Sequence, residues 1–135
     1  MARRQAREAA MMLVFEWSSG GTGRRETIEG MMDGYALTED DKSYALEILD
    51  GITEHYEDID EKIRKYAKGW RIERMPKVDL SILRVAVFEL LFRKDIPVGV
   101  SANEAVEMAK NFSGGKSPPF INGVLGTLIR DLDLE

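Results

Sequence analysis

The stretch that most constrains the fold runs from residue 78 to residue 92 and reads VDLSILRVAVFELLF. After position 79, only three residues interrupt its apolar side chains, namely Ser81, Arg84 and Glu89. A helix that is apolar on nearly all sides must be enclosed by other elements, and this run is longer than a typical buried strand of about four to eight residues. The sequence therefore predicts a central helix surrounded by the rest of the chain.

The other apolar residues recur mostly at helical spacing, and no segment alternates as a half-buried strand would. We therefore predict an all-α protein with about seven helices in two small packed bundles. Thr38, Asp58 and Ser101 are the expected N-caps of three of them, because such side chains accept hydrogen bonds from helix amides. The helices are expected at about 3–17, 26–35, 38–56, 58–70, 78–95, 101–112 and 118–132.

The chain of 135 residues fits a single domain. We expect an N-terminal helical half of about residues 1–75 and a C-terminal half of about residues 76–135, with the central helix near their junction. The absence of cysteine excludes disulfides and thiolate metal sites, so the fold must rest on packing. No apolar run reaches about eighteen residues, and we expect a soluble cytoplasmic protein without a membrane partner.

The net charge of -5 is unevenly distributed, and the chain contains two basic segments. The first basic segment, residues 1–25, has a net charge of +3, and the second basic segment, residues 64–77, has a net charge of +5. Residues 26–63 between them sum to -11. Because attraction depends on the nearby field, either basic segment could attract phosphate, although two solvated helix faces would give the same pattern.

Three arginines at the start of the first predicted helix are the strongest electrostatic feature. Arg3, Arg4 and Arg7 lie where the helix dipole disfavours cations, so a stability requirement alone would favour acidic residues there. Guanidinium groups bind phosphate well. These positions therefore suggest contacts with successive phosphates of a nucleic acid.

A loop at residues 113–119 holds a second candidate contact. Lys116 on this loop and Phe112 just before it could bind a phosphate and a stacked base. The alternative is that Phe112 packs inward and Lys116 is solvated. The Gly-Lys-Ser triplet at 115–117 is no nucleotide-binding loop, because the first glycine of that pattern is replaced by Lys110 and the loop follows a helix.

Catalytic and metal-binding patterns are not found. The single histidine, His55, lies among acidic helix residues with no partner motif for nucleophilic or acid–base catalysis. Without cysteine or a second histidine only carboxylates remain as metal ligands, and their spacing does not match a calcium loop. We predict a protein that is not an enzyme and that needs no metal or cofactor.

Several short motifs, in this order, resemble the NusB family of transcription antitermination factors. They are RRQAREA at 3–9, Trp70, VD at 78–79, ILRVA at 82–86, FEL at 88–90, Pro97, NEAVEMAK at 103–110 and FINGVL at 120–125. The last three are the most specific. The acidic region from residue 18 to residue 61 resembles the family only in length and helical character.

The resemblance implies an all-helical fold and binding to the boxA element of ribosomal RNA transcripts, together with the ribosomal protein NusE, at the transcription elongation complex. It also implies RNA contacts from Arg3, Arg4, Arg7 and the Lys116 loop, with Phe112 as a stacking residue. The resemblance places Asp79 at a position where members of the family contact NusE. Four residues match signature positions and are expected to serve in helix capping and close helix packing, namely Asn103, Glu104, Asn122 and Gly123. Pro119 stands where the family often has a basic residue, and Lys116 would take over that contact.

Alternatives stay open on the sequence alone. The chain could be a NusB-like RNA-binding domain of the kind fused to RNA methyltransferases, or a structural helical dimerisation module whose arginines are solvated. Self-association of the free protein into a homodimer is also undecided.

Overall fold

The run at residues 78–92 forms the central helix of a computed structural model that describes residues 4–21, 30 and 37–134. Five α-helices lie within these ranges, with a short 3-10 helix, Ile72–Arg74, before the third. The α-helices are α1 (Arg4–Ser18), α2 (Glu39–Tyr66), α3 (Lys77–Phe92), α4 (Val98–Phe112) and α5 (Ser117–Asp131). The described ranges contain no strand, and the predicted all-α class is confirmed.

Helix α3 is enclosed on every side, as the apolar run predicts. Every residue from Asp79 to Leu90 is buried, and α3 packs against α1, α2, α4 and α5. Burying each large apolar side chain contributes about 1.5–3 kcal/mol, so this helix supplies much of the hydrophobic stabilisation. Four polar residues of α3 are buried as well; the Ser81 hydroxyl donates to the Lys77 carbonyl within the helix, and Asp79, Arg84 and Glu89 find partners outside it.

Helix α2 joins two segments that the sequence predicts as separate helices. Thr38 caps it as expected, because its Oγ1 accepts the Asp41 amide at 3.0 Å and its own amide donates to the Asp41 carboxylate. The helix bends at His55, whose φ of -117° and ψ of 20° are not helical, and then continues. Asp58 therefore lies inside a helix and caps nothing. Ile52 and Ile59, seven residues apart, stay on the same buried face across the bend.

The prediction of about seven helices is therefore wrong for the described part of the chain, which has five. One difference is the joined helix α2. The other is the helix predicted at 26–35, which lies outside the described residues except for Gly30. Within the described ranges, no helix combines the length and apolar content needed to cross a membrane.

Helix α4 begins three residues earlier than predicted. Its N-cap is Pro97, and Ser101 already lies inside the helix. The Ser101 hydroxyl donates to Glu89 on α3 at 2.8 Å, so it does not cap the helix, and the predicted Ser101 capping box is wrong. The Ser101 hydroxyl therefore bonds to a buried carboxylate of α3 and not to the amides at the start of its own helix.

A close approach between α2 and α3 occurs at Gly51. A Cβ atom at this position would lie 2.1 Å from the Phe88 ring, which is far inside van der Waals contact. Gly51 therefore has a packing reason to be glycine. It allows the second helix to lie directly on the central one.

Candidate nucleic-acid interface

Arg7 lies inside the protein, where it pairs with Glu89 of the central helix. The Arg7 Nε donates to both carboxylate oxygens of Glu89, at 3.0 and 2.9 Å. Tyr44 and Ser101 donate their hydroxyls to the same carboxylate. The exposed fractions are 5% for Arg7 and 1% for Glu89. Arg7, one of the three arginines predicted to contact RNA, is thus buried in the core and cannot contact RNA from the surface.

The buried Glu89 carboxylate links helices α1, α2 and α4 to α3 through these three donors. Burial and the hydrogen bond to Glu89 raise the pKa of Tyr44 above its ordinary value. A buried carboxylate with this many donors is compensated for the loss of water. We refer to Glu89 and its three donors as the Glu89 hub.

A second arginine of the central helix is also paired internally. Arg84 donates to the two carboxylate oxygens of Asp60 on α2, at 2.9 and 2.8 Å. Its guanidinium carbon lies 5.5 Å from the centroid of the Trp17 ring on α1. Two of the polar residues that interrupt the apolar run, Arg84 and Glu89, therefore fix the positions of neighbouring helices.

Arg4 lies at the surface at the start of α1, where it pairs with Glu104 of α4. Its Nε and Nη2 donate to the two carboxylate oxygens at 2.9 and 2.8 Å, and its side chain is 51% exposed. The hydrogen bonds from Arg4 lower the pKa of Glu104 below its usual range. Glu104 thus binds the face of Arg4 that would bind phosphate. Arg3, the remaining predicted contact, lies outside the described residues.

Asp79 fixes the loop before α5. Its carboxylate accepts hydrogen bonds from the Ser113 hydroxyl and, at 2.8 Å, from the Ser117 hydroxyl, and the two serine oxygens lie 2.9 Å apart. With 4% exposure, Asp79 does not present its carboxylate to a partner protein in this arrangement.

That loop presents Lys116 to solvent just before α5 begins. Lys116 is exposed and forms no ion pair with any residue that the structure describes. Phe112, at the end of α4, is half-buried and packs against the hydrophobic core. Of the two predicted contacts, Lys116 is thus the more accessible.

The second basic segment contains several exposed cations without a partner. Arg64, Arg71 and Arg74 are exposed, and none of them forms an ion pair within the described part of the chain. Lys65 differs, because it lies 3.7 Å from the Asp131 carboxylate. This segment is therefore more available to an external anion than the arginines of α1.

A groove of about 400 Å³ lies beside the second basic segment, between the end of α2 and α5. Lys68, Trp70, Phe120 and Gly123 are among the residues that line it. The helix predicted at 58–70 would include Trp70, but Trp70 is 52% exposed and lies past the end of α2. Sequence reasoning did not find this groove, although a tryptophan between basic residues is a signal for it.

No group of three or more potential metal-binding side chains is present among the described residues. The accessible chemistry is therefore that of exposed cations: Arg4 and Lys116 at separate positions, and the second basic segment beside the exposed Trp70 ring. Such surfaces suit phosphates and unpaired bases.

The model of the NusB family matches residues 4–130. The chain belongs to the NusB family. A protein of Acetivibrio thermocellus named transcription antitermination protein NusB is 45% identical over 130 residues, covering 96% of this chain and 90% of that protein. The name is that of a transcription factor, not of an enzyme, and it agrees with the resemblance described above.

Solved NusB structures share the fold. The structure of T. maritima NusB has a TM-score of 0.85 and 32% identity, covering 97% of this chain and 92% of that one. A crystal structure of the antitermination factors NusB and NusE in complex with dsRNA has a TM-score of 0.83 and 28% identity, covering 96% of each chain.

Proposed function

We propose that this protein is a transcription antitermination factor that binds boxA-type RNA together with NusE and supports ribosomal RNA transcription and maturation. The observation that carries the proposal is the family match over residues 4–130. The likeness to a NusB chain crystallised with NusE and dsRNA supports RNA and NusE as the partners. The elongation complex is the proposed place of action, in the cytoplasm.

The proposed boxA contacts lie along helix α4. Arg4 is held at Glu104, and Phe112 follows eight residues later at the end of the same helix, a rise of about 12 Å. Lys116 lies on the loop just beyond. A short single strand can span this distance. We assign Arg3, Arg4 and Lys116 to phosphates and Phe112 to a base, and we leave out Arg7 because it is buried.

The NusE surface is proposed to lie around the N-terminal end of α3. Asp79 shapes this surface by holding Ser113 and Ser117, and the contacts with NusE come from exposed neighbours of that loop. One loop would then connect the RNA surface and the partner surface. Binding of NusE and of RNA should therefore be cooperative.

The chain is proposed to act as one NusB-like domain over residues 1–135. Its N-terminal half, about residues 1–75, carries the arginines, and its C-terminal half, about residues 76–135, carries the loop. A single buried cluster includes residues from all five described α-helices, which supports joint action of the two halves. No reaction is assigned to either half.

The direct test is fluorescence anisotropy of a labelled boxA RNA, with and without purified NusE. We expect the wild-type protein to bind, and NusE to strengthen binding. Replacing Arg4 and Lys116 together with Gln should weaken binding, whereas Lys94→Gln, at an exposed lysine outside both basic segments, should not. Failure of the wild-type protein to bind RNA even with NusE would refute the proposed function.

A further inference from the structure

The groove between α2 and α5 presents an exposed aromatic surface. The Trp70 and Phe120 rings touch with centroids 5.3 Å apart and planes at 57°, and more than half of Trp70 stays accessible. Isolated exposed apolar residues are common, but a tryptophan beside a second ring in a concave site offers stacking area to a flat ligand. The groove therefore has the surface that an unpaired base requires.

Gly123 on helix α5 leaves one wall of this groove without a side chain. A Cβ atom there would meet nothing within 4 Å, in contrast to Gly51, where it would clash with Phe88. Glycine in the middle of a helix is less favourable than alanine, and packing gives no reason for it at position 123. The absence of a side chain keeps the helix backbone open to a closely approaching ligand. The expectation that Gly123 allows close helix packing is therefore wrong.

The charge around the groove is positive. Lys68 lines it, Arg71 follows Trp70 directly, and the unpaired Arg64 and Arg74 lie in the same basic segment. Two acids are close to this segment: Glu73 lies within it, and the Asp131 carboxylate already accepts a hydrogen bond from Tyr66 and lies 3.7 Å from Lys65. Unpaired cations beside aromatic rings match the backbone and bases of a single strand.

The groove also continues from the proposed boxA surface. Lys116 precedes α5, and Gly123 lies seven residues further along, a rise of about 10 Å on the same helix. Phe120 lies between them. A strand that contacts Lys116 can therefore extend along α5 into the groove.

We propose that the groove between α2 and α5 is a second RNA site, in which an unpaired base stacks on Trp70 and Lys68 binds an adjacent phosphate. This inference rests on the proposed function, because the same RNA strand would reach both sites. The site binds nucleotides next to the boxA element and extends the bound length of RNA. It reads unpaired bases by stacking, so it favours single-stranded over fully paired RNA.

The test compares a minimal boxA RNA with the same RNA extended on either side by unpaired nucleotides, using anisotropy. Each stacked base contributes enough to strengthen binding about tenfold, so the extended RNA should bind the wild-type protein about tenfold more tightly. Gly123→Leu, which fills the groove with a helix-favouring side chain, and Trp70→Ala should abolish this gain while leaving the minimal RNA unaffected.

Matched controls separate this effect from general damage. Gly99→Leu adds the same side chain in open space on α4, and Tyr56→Ala removes a different exposed aromatic ring. Both should keep the tenfold gain. In a Trp17→Phe variant, Trp70 is the only tryptophan left. Its emission should be quenched by the extended RNA and not by the minimal one.

The possible outcomes distinguish the alternatives. An unchanged gain in both Gly123→Leu and Trp70→Ala would overturn the second site. Loss of NusE affinity in these variants, with the RNA gain retained, would also overturn it and make the groove a protein-docking surface. If the wild-type protein binds neither RNA with NusE present, the proposed function fails first.

Discussion

The two basic segments of this chain use their cations in opposite ways. In the first, Arg4 is paired with Glu104 and Arg7 with Glu89, carboxylates that lie 100 and 82 residues away in sequence. In the second, Arg64, Arg71 and Arg74 form no ion pair with any described residue. A count of charges in sequence therefore does not measure the charge available to a ligand, because folding brings distant carboxylates to some cations and not to others.

Replacing Arg7 should have the largest effect, since it leaves the Glu89 carboxylate buried with fewer donors. We expect Arg7→Met to lower the free energy of unfolding by about 3–5 kcal/mol. Arg64→Met, at an exposed arginine without a partner, should change it by less than about 0.5 kcal/mol. Chemical denaturation of both variants measures this contrast. A loss of under about 1 kcal/mol for Arg7→Met would show that the hub does not depend on this arginine.

The next largest effect is on the salt dependence of RNA binding, which we expect to depend more on the second basic segment than on the first. Each phosphate contact with a single strand contributes about -0.7 to the slope of log affinity against log salt. Changing Arg64, Arg71 and Arg74 together to Gln should make the slope with an extended RNA shallower by up to about 2. Arg4→Gln should change it less, because Glu104 already neutralises that charge. An equal or greater effect per charge from Arg4→Gln would contradict this difference.

Glu104→Gln should strengthen RNA binding, because it removes the carboxylate that competes with phosphate for Arg4. The expected gain is about twofold to fivefold, as suits an exposed pair. Glu107→Gln is the matched control. Glu107 lies one turn from Glu104 and carries the same charge, but it pairs with Lys110. Weaker binding by Glu104→Gln would instead mean that Glu104 holds Arg4 in its RNA-binding position.

The smallest expected effect is the contribution of the Arg4–Glu104 pair to the pH dependence of stability. Hydrogen bonds from Arg4 hold the pKa of Glu104 below its usual range. Such a carboxylate stabilises the fold fully above the ordinary glutamate pKa of about 4.3, and this contribution is lost as pH falls through the lowered value. Thermal melts between neutral pH and pH of about 3 should show a slightly larger decrease in Tm for the wild-type protein than for Glu104→Gln.

The fold was predictable where it depends on local pattern. The apolar run of α3 required an enclosed helix, and Thr38 caps α2 as its side chain suggested. The predicted Ser101 cap failed because Glu89, twelve residues earlier, accepts its hydroxyl. The predicted end of the third helix failed because buried isoleucines on both sides of His55 keep the bent helix on the core.

The candidate site was less predictable, because it depends on which residues meet in space. The arginine pattern at the N-terminus does not distinguish the buried Arg7 from the exposed Arg4. Trp70 fits a helical spacing, yet the helix ends at Tyr66 and the ring remains at the surface. These differences follow from contacts between elements far apart in the chain, which periodicity does not encode.

The Glu89 hub has a consequence for how the chain is made. Helix α1 is synthesised first, but the carboxylate that binds Arg7 lies 82 residues later. The last donor, Ser101, follows twelve residues after Glu89. During synthesis α1 therefore emerges long before Arg7 can acquire its buried partner, and the pair with Glu89 cannot form until α3 has left the ribosome. Stable closure of this bundle should thus be a late event on the ribosome, even though its first helix is the earliest to appear.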